Sequence, residues 1–331
     1  MALKLDMKDR KILYELDKNS RQSASKIAKK VGLSVDGTNY RIKQLIKKNA
    51  IFKFMTLLDT AKLGLTTYKV FYRFQNTTLH KEKEIIDYLI AHPNTQLITS
   101  TWGMFDLNIN VISRNTEELN KILSEFNLRY GKFFAEKLVN ILVESNFFFR
   151  DYLTDEKQSM IRKPMFFGSV PATTEVDDYN KKILTLLAED ARISSVNIAK
   201  IVGLSADAII QRVKKLEKSG VIQNYVLFPN SEEIGYTWYY VLFLFRDITV
   251  EDEKKFFNFC RIHPNIWCYN KMIGTWDVII NVDVKDDNEL KDILMQIKND
   301  FSRILKEYNL LKITKTYKFN QYPLGIFENV H

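Results

Sequence analysis

The stretch "VGLSVDGTNYRIKQL" (31–45) returns 171 positions later as "VGLSADAIIQRVKKL" (202–216). Gly32-Leu33-Ser34 reads as a sharp turn: Gly supplies the left-handed backbone such a bend needs, and Ser34 caps the helix that follows. Ahead of it, Ile12, Leu13 and Leu16 recur at helical spacing, and Ile27, Ala28 and Val31 form a second, shorter stripe. Two short helices, a tight Gly turn and a longer basic helix running to about Lys48 make a helix-turn-helix pattern. "IFKFMTLLD" (51–59) then reads as a strand, which predicts a winged module.

The repetition is not confined to this motif. Sliding the chain by 171 positions aligns 5–150 with 176–321 without a gap, and about 42 of the 146 pairs are identical. Asp6 meets Asp177, Arg21 meets Arg192, Gly64 meets Gly235, His92-Pro93-Asn94 meets His263-Pro264-Asn265, Gly103 meets Gly274 and Asp106 meets Asp277. The second part of each unit changes period. "TTYKVFYRF", "TQLITSTW", "FDLNINVI" and "KLVNILVESNFFF" read as strands, while "KEKEIIDYLIAH" and "TEELNKILSEFNLRY" read as helices. Strand-helix-strand-strand-helix-strand predicts a ferredoxin-like sandwich of four antiparallel strands backed by two helices, repeated from Thr237 to about Phe319. The fold class is therefore α+β, a tandem repeat with expected limits of 1–60 and 61–150, then 176–231 and 232–322. Residues 151–175 have no counterpart and read as a linker, with Pro164, Gly168 and Pro171 as breakers.

Charge is unevenly placed on this chain of 331 residues and net charge +9. Residues 1–60 hold 14 Lys+Arg against 6 Asp+Glu, whereas residues 176–230 in the second unit hold 8 against 6. A merely lysine-rich composition would spread the excess, so its focus on the first module points to an anionic partner there. No apolar run approaches the roughly 20 residues a membrane-spanning helix needs. "MALKLDMKDRKIL" lacks the apolar core of a signal peptide, so a cytoplasmic protein without membrane association is expected. Cys260 and Cys268 are too few for a disulfide scaffold; with His263 they fit no common zinc spacing, so no metal, cofactor or catalytic residue is expected.

Each unit resembles one complete member of the Lrp/AsnC (feast/famine) transcriptional regulators. The resemblance rests on "LDMKDRKIL", "SASKIAKKVGLS", "YRIKQL", "LGLTTYKV" and "GMFDLNINV", with "NIAKIVGLS", "QRVKKLEKSGVI" and "GTWDVIINV" in the second copy. It implies an N-terminal winged helix-turn-helix followed by a ferredoxin-like sensing domain. The first copy departs from the pattern at Asn49, where Gly220 closes the second copy's helix, and at Gly37 and Thr38 inside the third helix. Gly37 weakens that helix by about 1 kcal/mol relative to Ala. The fusion of two units in one chain is a further departure.

A recognition helix needs one face on its core and one on the major groove. Spacing turns Thr38, Ile42 and Leu45 inward and leaves Val35, Asp36, Asn39, Tyr40, Lys43, Gln44 and Lys47 largely outward, with Ser34 at the helix start. Asn39 and Gln44 have the geometry to read adenine; Arg41, Lys43, Lys47 and Lys48 suit phosphates or, for Arg41, guanine. Lys26, Lys29 and Lys30 suit the flanking backbone of double-stranded DNA. The second copy presents Ser205, Asp207, Gln211, Arg212, Lys214 and Lys215, but Ile210 stands where Asn39 does, and Asn197 and Ile201 replace Lys26 and Lys30. That face either touches DNA or meets protein. The family resemblance also implies an effector region, for small amino-acid-like molecules, near Gly103 and Asp106 and near Gly274 and Asp277. The plain alternative is a tight hairpin whose Asp satisfies local N–H groups. His92 and His263 suit helix C-terminal packing.

The resemblance further implies pairing of sensing domains through their sheets. A linker of 25 residues reaches far enough for the two units of one chain to pair with each other, as an asymmetric pseudo-dimer that can associate further. Two rival readings remain. Siroheme decarboxylases resemble the same two-domain fold, with non-identical units around a tetrapyrrole; against them, the chain has only His80, His92, His263 and His331, none expected in the sheet pocket. The other rival is a protein-interaction module in which only the first half reads DNA.

Overall fold

A computed structural model of the chain describes residues 3–154, 162–168 and 176–322. The first unit runs α1 (Met7–Lys18), α2 (Ala24–Val31), α3 (Val35–Lys47), β1 (Ile51–Leu58), β2 (Thr66–Phe74), α4 (Leu79–Ala91), β3 (Thr95–Gly103), β4 (Leu107–Ser113), α5 (Thr116–Tyr130) and β5 (Phe134–Phe147). After a short strand β6 (Met165–Gly168), the second unit repeats this order. It comprises α6 (Asp178–Glu189), α7 (Ser195–Val202), α8 (Ala206–Lys218), β7 (Ile222–Pro229), β8 (Thr237–Phe245), α9 (Val250–Ile262), β9 (Ile266–Ile273), β10 (Val278–Val284), α10 (Asp287–Phe301) and β11 (Leu305–Phe319).

Local chemistry sets the helix ends. Asp6, Ser23 and Ser34 each accept an N–H from the first turn of α1, α2 and α3. Gly32 leaves α2 at φ +69°, the left-handed conformation the turn requires. Asn49 takes φ +59° where Gly220 takes +72°, so asparagine performs the same chain reversal. Thr38 is fully buried in α3, and its hydroxyl is satisfied by donating to the Ser34 carbonyl at 2.9 Å. That bond removes the penalty expected for a polar residue on the core face.

The ferredoxin-like sheets do not remain separate. Within each unit the strands lie in the order β5-β2-β4-β3 and β11-β8-β10-β9. The edge strand β3 pairs with β11 of the other unit, and β9 pairs with β5, both antiparallel. Eight strands thus close into one continuous ring, and neither four-stranded sheet keeps a free edge within it. β5 and β11 are the longest strands and span the joints: the first half of each pairs within its own unit and the second half across. Period-two alternation then sorts the side chains. Tyr68, Val70 and Tyr72 face outward to a core closed by Ile85, Leu89, Leu119, Leu123 and Phe126 of α4 and α5. Phe71, Leu97, Phe105, Trp238, Tyr240, Leu242, Trp267 and Leu311 fill the inside of the ring.

The helix-turn-helix modules also interlock across units. The strand after each recognition helix does not fold into a hairpin of its own; β1 pairs antiparallel with β7. The core of the first module takes in Leu227, Ile234 and Tyr236, and that of the second takes in Leu58, Leu63 and Leu65. Arg21 donates to the Ala191 carbonyl at 2.6 Å and its repeat mate Arg192 donates to the Ser20 carbonyl at 2.8 Å. The segment between the units, read as a breaker-rich linker, is partly built into the fold. β6 adds to the end of β5, and the buried Arg162 donates to the carbonyls of Phe149, Cys260 and His263. Pro171 lies outside the described residues, as does His331.

Candidate nucleic-acid interface

On the first module, helix geometry separates seat from surface. Ile42 and Leu45 are buried with Thr38, and Val35, Asp36, Asn39, Tyr40, Lys43 and Lys47 are exposed, with Gln44 partly so and Ser34 exposed at the start. Lys26 and Lys29 are exposed on α2 beside them. Two residues of the expected set sit differently. Arg41 is held by the carboxylates of Asp6 and Asp9, each at 2.7 Å, so its guanidinium fastens α3 to α1 instead of reaching outward. Partial burial pushes the Asp6 carboxyl up, but the Asp9 N–H and Arg41 outweigh it and hold the group below its ordinary value. Lys30 reaches back to Glu15 at 2.5 Å and Gln22 at 3.0 Å.

The second module repeats the seat and changes the surface. Arg212 bonds Asp177 at 2.7 Å and Asn180 at 3.0 Å, as Arg41 does its pair. Asp207, Gln211, Lys214, Lys215 and Ser205 are exposed. So are Val196, Ile201 and Ile210, where the first module carries Ser25, Lys30 and Asn39. The two faces have the same shape and different chemistry: one cationic with amide and phenol groups, the other partly aliphatic.

The hairpin residues turn out to be joints. Asp106 accepts from the Phe74 N–H and Asp277 from the Phe245 N–H, both at 2.7 Å, which commits each carboxylate to its own sheet. Gly103, at φ +145°, lies where a Cβ would come within 2.6 Å of the Leu310 carbonyl of β11. At Gly274 it would come within 2.4 Å of Asn140 Oδ1 on β5. The repeated glycines therefore let the strands of the two units approach at the ring joints. Both hairpins thus lie at the joints between the two units' sheets, with each Asp serving its local backbone. His92 and His263 end α4 and α9, each accepting the N–H two residues on. Burial, with Arg162 nearby, pulls the His263 imidazole down to about 4. Cys260 and Cys268 are fully buried thiols, and no metal-holding cluster of His, Cys, Asp or Glu occurs among the described residues.

One cluster escaped the reading of the sequence. Arg150, at the end of β5, is buried against two carboxylates: Asp17 of α1 at 2.7 Å and Asp283 of β10 at 3.7 Å. Its guanidinium also lies 4.3 Å from the Trp267 ring, and Tyr152 donates to Asp283. Burial lifts both carboxyls above their ordinary values against the pull of Arg150. The network ties the first helix-turn-helix to the second unit's sheet. The repeat positions opposite are Ala188, Gln321 and Ile112, so the second module lacks it. That mismatch within an otherwise similar repeat was the available signal.

Fold and surface together define a helix-turn-helix transcriptional regulator. The chain matches a family model described as "Winged helix-turn-helix DNA-binding" twice, over residues 5–51 and 176–223. It is 32% identical over 126 residues to the uncharacterized HTH-type transcriptional regulator PF0250 of Pyrococcus furiosus, an overlap of 38% of this chain and 84% of that protein. It is 44% identical over 62 residues to the HTH-type transcriptional regulator LrpA of Pyrococcus abyssi, covering 19% of this chain and 44% of that one. The chain belongs to the Lrp/AsnC family of transcriptional regulators, as two fused units. Among solved structures, the siroheme decarboxylase NirDL aligns over 96% of this chain and 94% of its own with a TM-score of 0.60 and 14% identity, a likeness of fold alone.

Proposed function

We propose that one chain works as a ready-made, asymmetric pseudo-dimer that reads double-stranded DNA chiefly through its first helix-turn-helix, in the cytoplasm and without catalysing a reaction. The observation that carries this reading is the exposed face of α2 and α3. There Lys26, Lys29, Lys43 and Lys47 surround Asn39, Tyr40 and Gln44, beside a second face interrupted by Val196, Ile201 and Ile210. Lysines supply salt-dependent attraction to phosphates, and the amide side chains supply base contacts. Arg41 and Arg212 act by seating the helices. The second face contributes fewer phosphate contacts and sets the spacing and angle of the first.

The rival reading, an enzyme of the siroheme-decarboxylase kind on the same fold, needs side chains able to hold a tetrapyrrole. His80 is exposed, and His92 and His263 stand at helix ends outside the ring. A cleft of about 450 Å³ between β1, β7 and β11 is lined, among the described residues, by Phe52, Asn230, Glu232 and Lys315 among others, and by no His or Arg. Genome-wide occupancy with footprinting at graded salt tests the proposal. Discrete sites that persist as salt rises are expected; uniform coverage of all DNA would overturn a sequence-reading role.

A further inference from the structure

The interior of the ring breaks the symmetry of the repeat in a specific way. Thr67, Lys69 and Gln96 of the first unit stand where the second has Trp238, Tyr240 and Trp267. The two indoles pack at 5.3 Å on the second unit's side. Opposite them the shorter polar side chains leave a cavity of about 50 Å³, lined also by Asn110, Ser145 and Asn270. Lys69 lines it while only 4% exposed. Its ammonium has Asn110 Oδ1 at 3.4 Å and the Tyr240 ring at 4.7 Å, and no carboxylate within ion-pair distance among the described residues.

A buried ammonium without a counter-charge destabilises the fold, and the tyrosine of the other unit shows the alternative this position accepts. Burial pulls Lys69 down to about 8, so it remains charged at neutral pH. The neighbouring thiol of Cys268 is pushed up to about 11 and offers no anion there. Roughly 10–15 Å³ of this kind of volume is enough to hold one water, so the space takes about three to five waters or one molecule of four to six heavy atoms.

We propose that this cavity binds a small monocarboxylate lacking an amino group, with its carboxylate on Lys69 and its carbon end against the indoles of Trp238 and Trp267. A carboxylate supplies the missing negative charge and accepts from Lys69. An α-amino acid is disfavoured, because among the described residues no acidic side chain lines the cavity to pair with its ammonium. The site stands independently of where DNA is read.

Isothermal titration of the full chain with acetate, pyruvate, alanine and phosphate, at pH 7 and matched ionic strength, tests the assignment. One saturable site per chain for acetate or pyruvate is expected, with alanine and phosphate about tenfold weaker or more. Lys69→Met should weaken the carboxylate at least about tenfold while raising the thermal midpoint of the ligand-free chain. Thr67→Trp, which copies the other unit and fills the space, should abolish binding with Lys69 still present; circular dichroism verifies both folds. No heat with any carboxylate, equal binding by Lys69→Met, or preference for alanine or phosphate would overturn the proposal.

Discussion

Replacing Arg150 with methionine removes the cation that lies between two buried carboxylates, at 2.7 Å from Asp17 and 3.7 Å from Asp283. Arg150 is 2% exposed, Asp17 1% and Asp283 0%, so water cannot take the cation's place. Removing one partner of such a pair costs about 3–5 kcal/mol, because the remaining charge is left buried. The stacking on Trp267 at 4.3 Å and Phe228 at 5.4 Å is lost as well, which places Arg150→Met near the upper end, about 5 kcal/mol. The chain itself supplies the control. Arg150→Gln with Asp17→Ala and Asp283→Ile installs the residues found opposite in the repeat, Gln321, Ala188 and Ile112. This triple variant should lie within about 2 kcal/mol of the parent, since removing all three charges together leaves none buried without its partner. Urea unfolding followed by circular dichroism gives both values, and native-state hydrogen exchange should show α1 loosened first in Arg150→Met. A loss under about 1 kcal/mol, or a triple variant no better than the single, would refute the reasoning.

Other outcomes follow from the same geometry. Gly103→Ala forces a Cβ to within 2.6 Å of the Leu310 carbonyl at φ +145° and should cost about 2 kcal/mol or more, read as a lowered thermal midpoint. The His263 imidazole falls from 6.5 to about 4 on folding, so the unfolded chain takes up the proton first. Its contribution, about 3 kcal/mol, is fully present above pH 6.5 and lost as pH falls toward 4. His263→Asn should flatten that part of the stability profile, and an unchanged slope would contradict it. For DNA binding, Lys43→Ala should reduce the slope of log K against log salt by about 0.9 if that lysine neutralises one phosphate. Arg41→Ala should instead loosen α3 by about 1 kcal/mol, seen in hydrogen exchange of α3 without DNA.

Much of this architecture is legible in the chain because its signals are local. The caps at Asp6, Ser23 and Ser34, the left-handed Gly32 and the alternation through β2 each name an element from a few neighbouring residues. The inward set of α3, Thr38, Ile42 and Leu45, follows from helical period alone. What the sequence does not display is which strand edges meet. Gly103 and Gly274 look like hairpin glycines until β11 and β5 are laid against them. Arg41 looks like a DNA-reading arginine until Asp6 and Asp9, over thirty residues earlier, fold beside it. Lys69 and Arg150 carry no motif. They stand out only where the two repeats disagree at buried positions, against Tyr240 and Gln321.

The pairing of β3 with β11 and of β5 with β9 makes one chain a complete two-module unit whose modules differ. Matched charge reversals measure that difference most directly. Lys29→Glu with Lys43→Glu alters the first module, and Lys200→Glu with Lys214→Glu alters the same repeat positions of the second. Binding to one footprinted fragment at fixed salt, with chain mass followed by light scattering, gives the comparison. The first pair should abolish binding while the second weakens it about tenfold or less. Equal losses from both pairs, or retained binding by the first, would contradict an asymmetric reader.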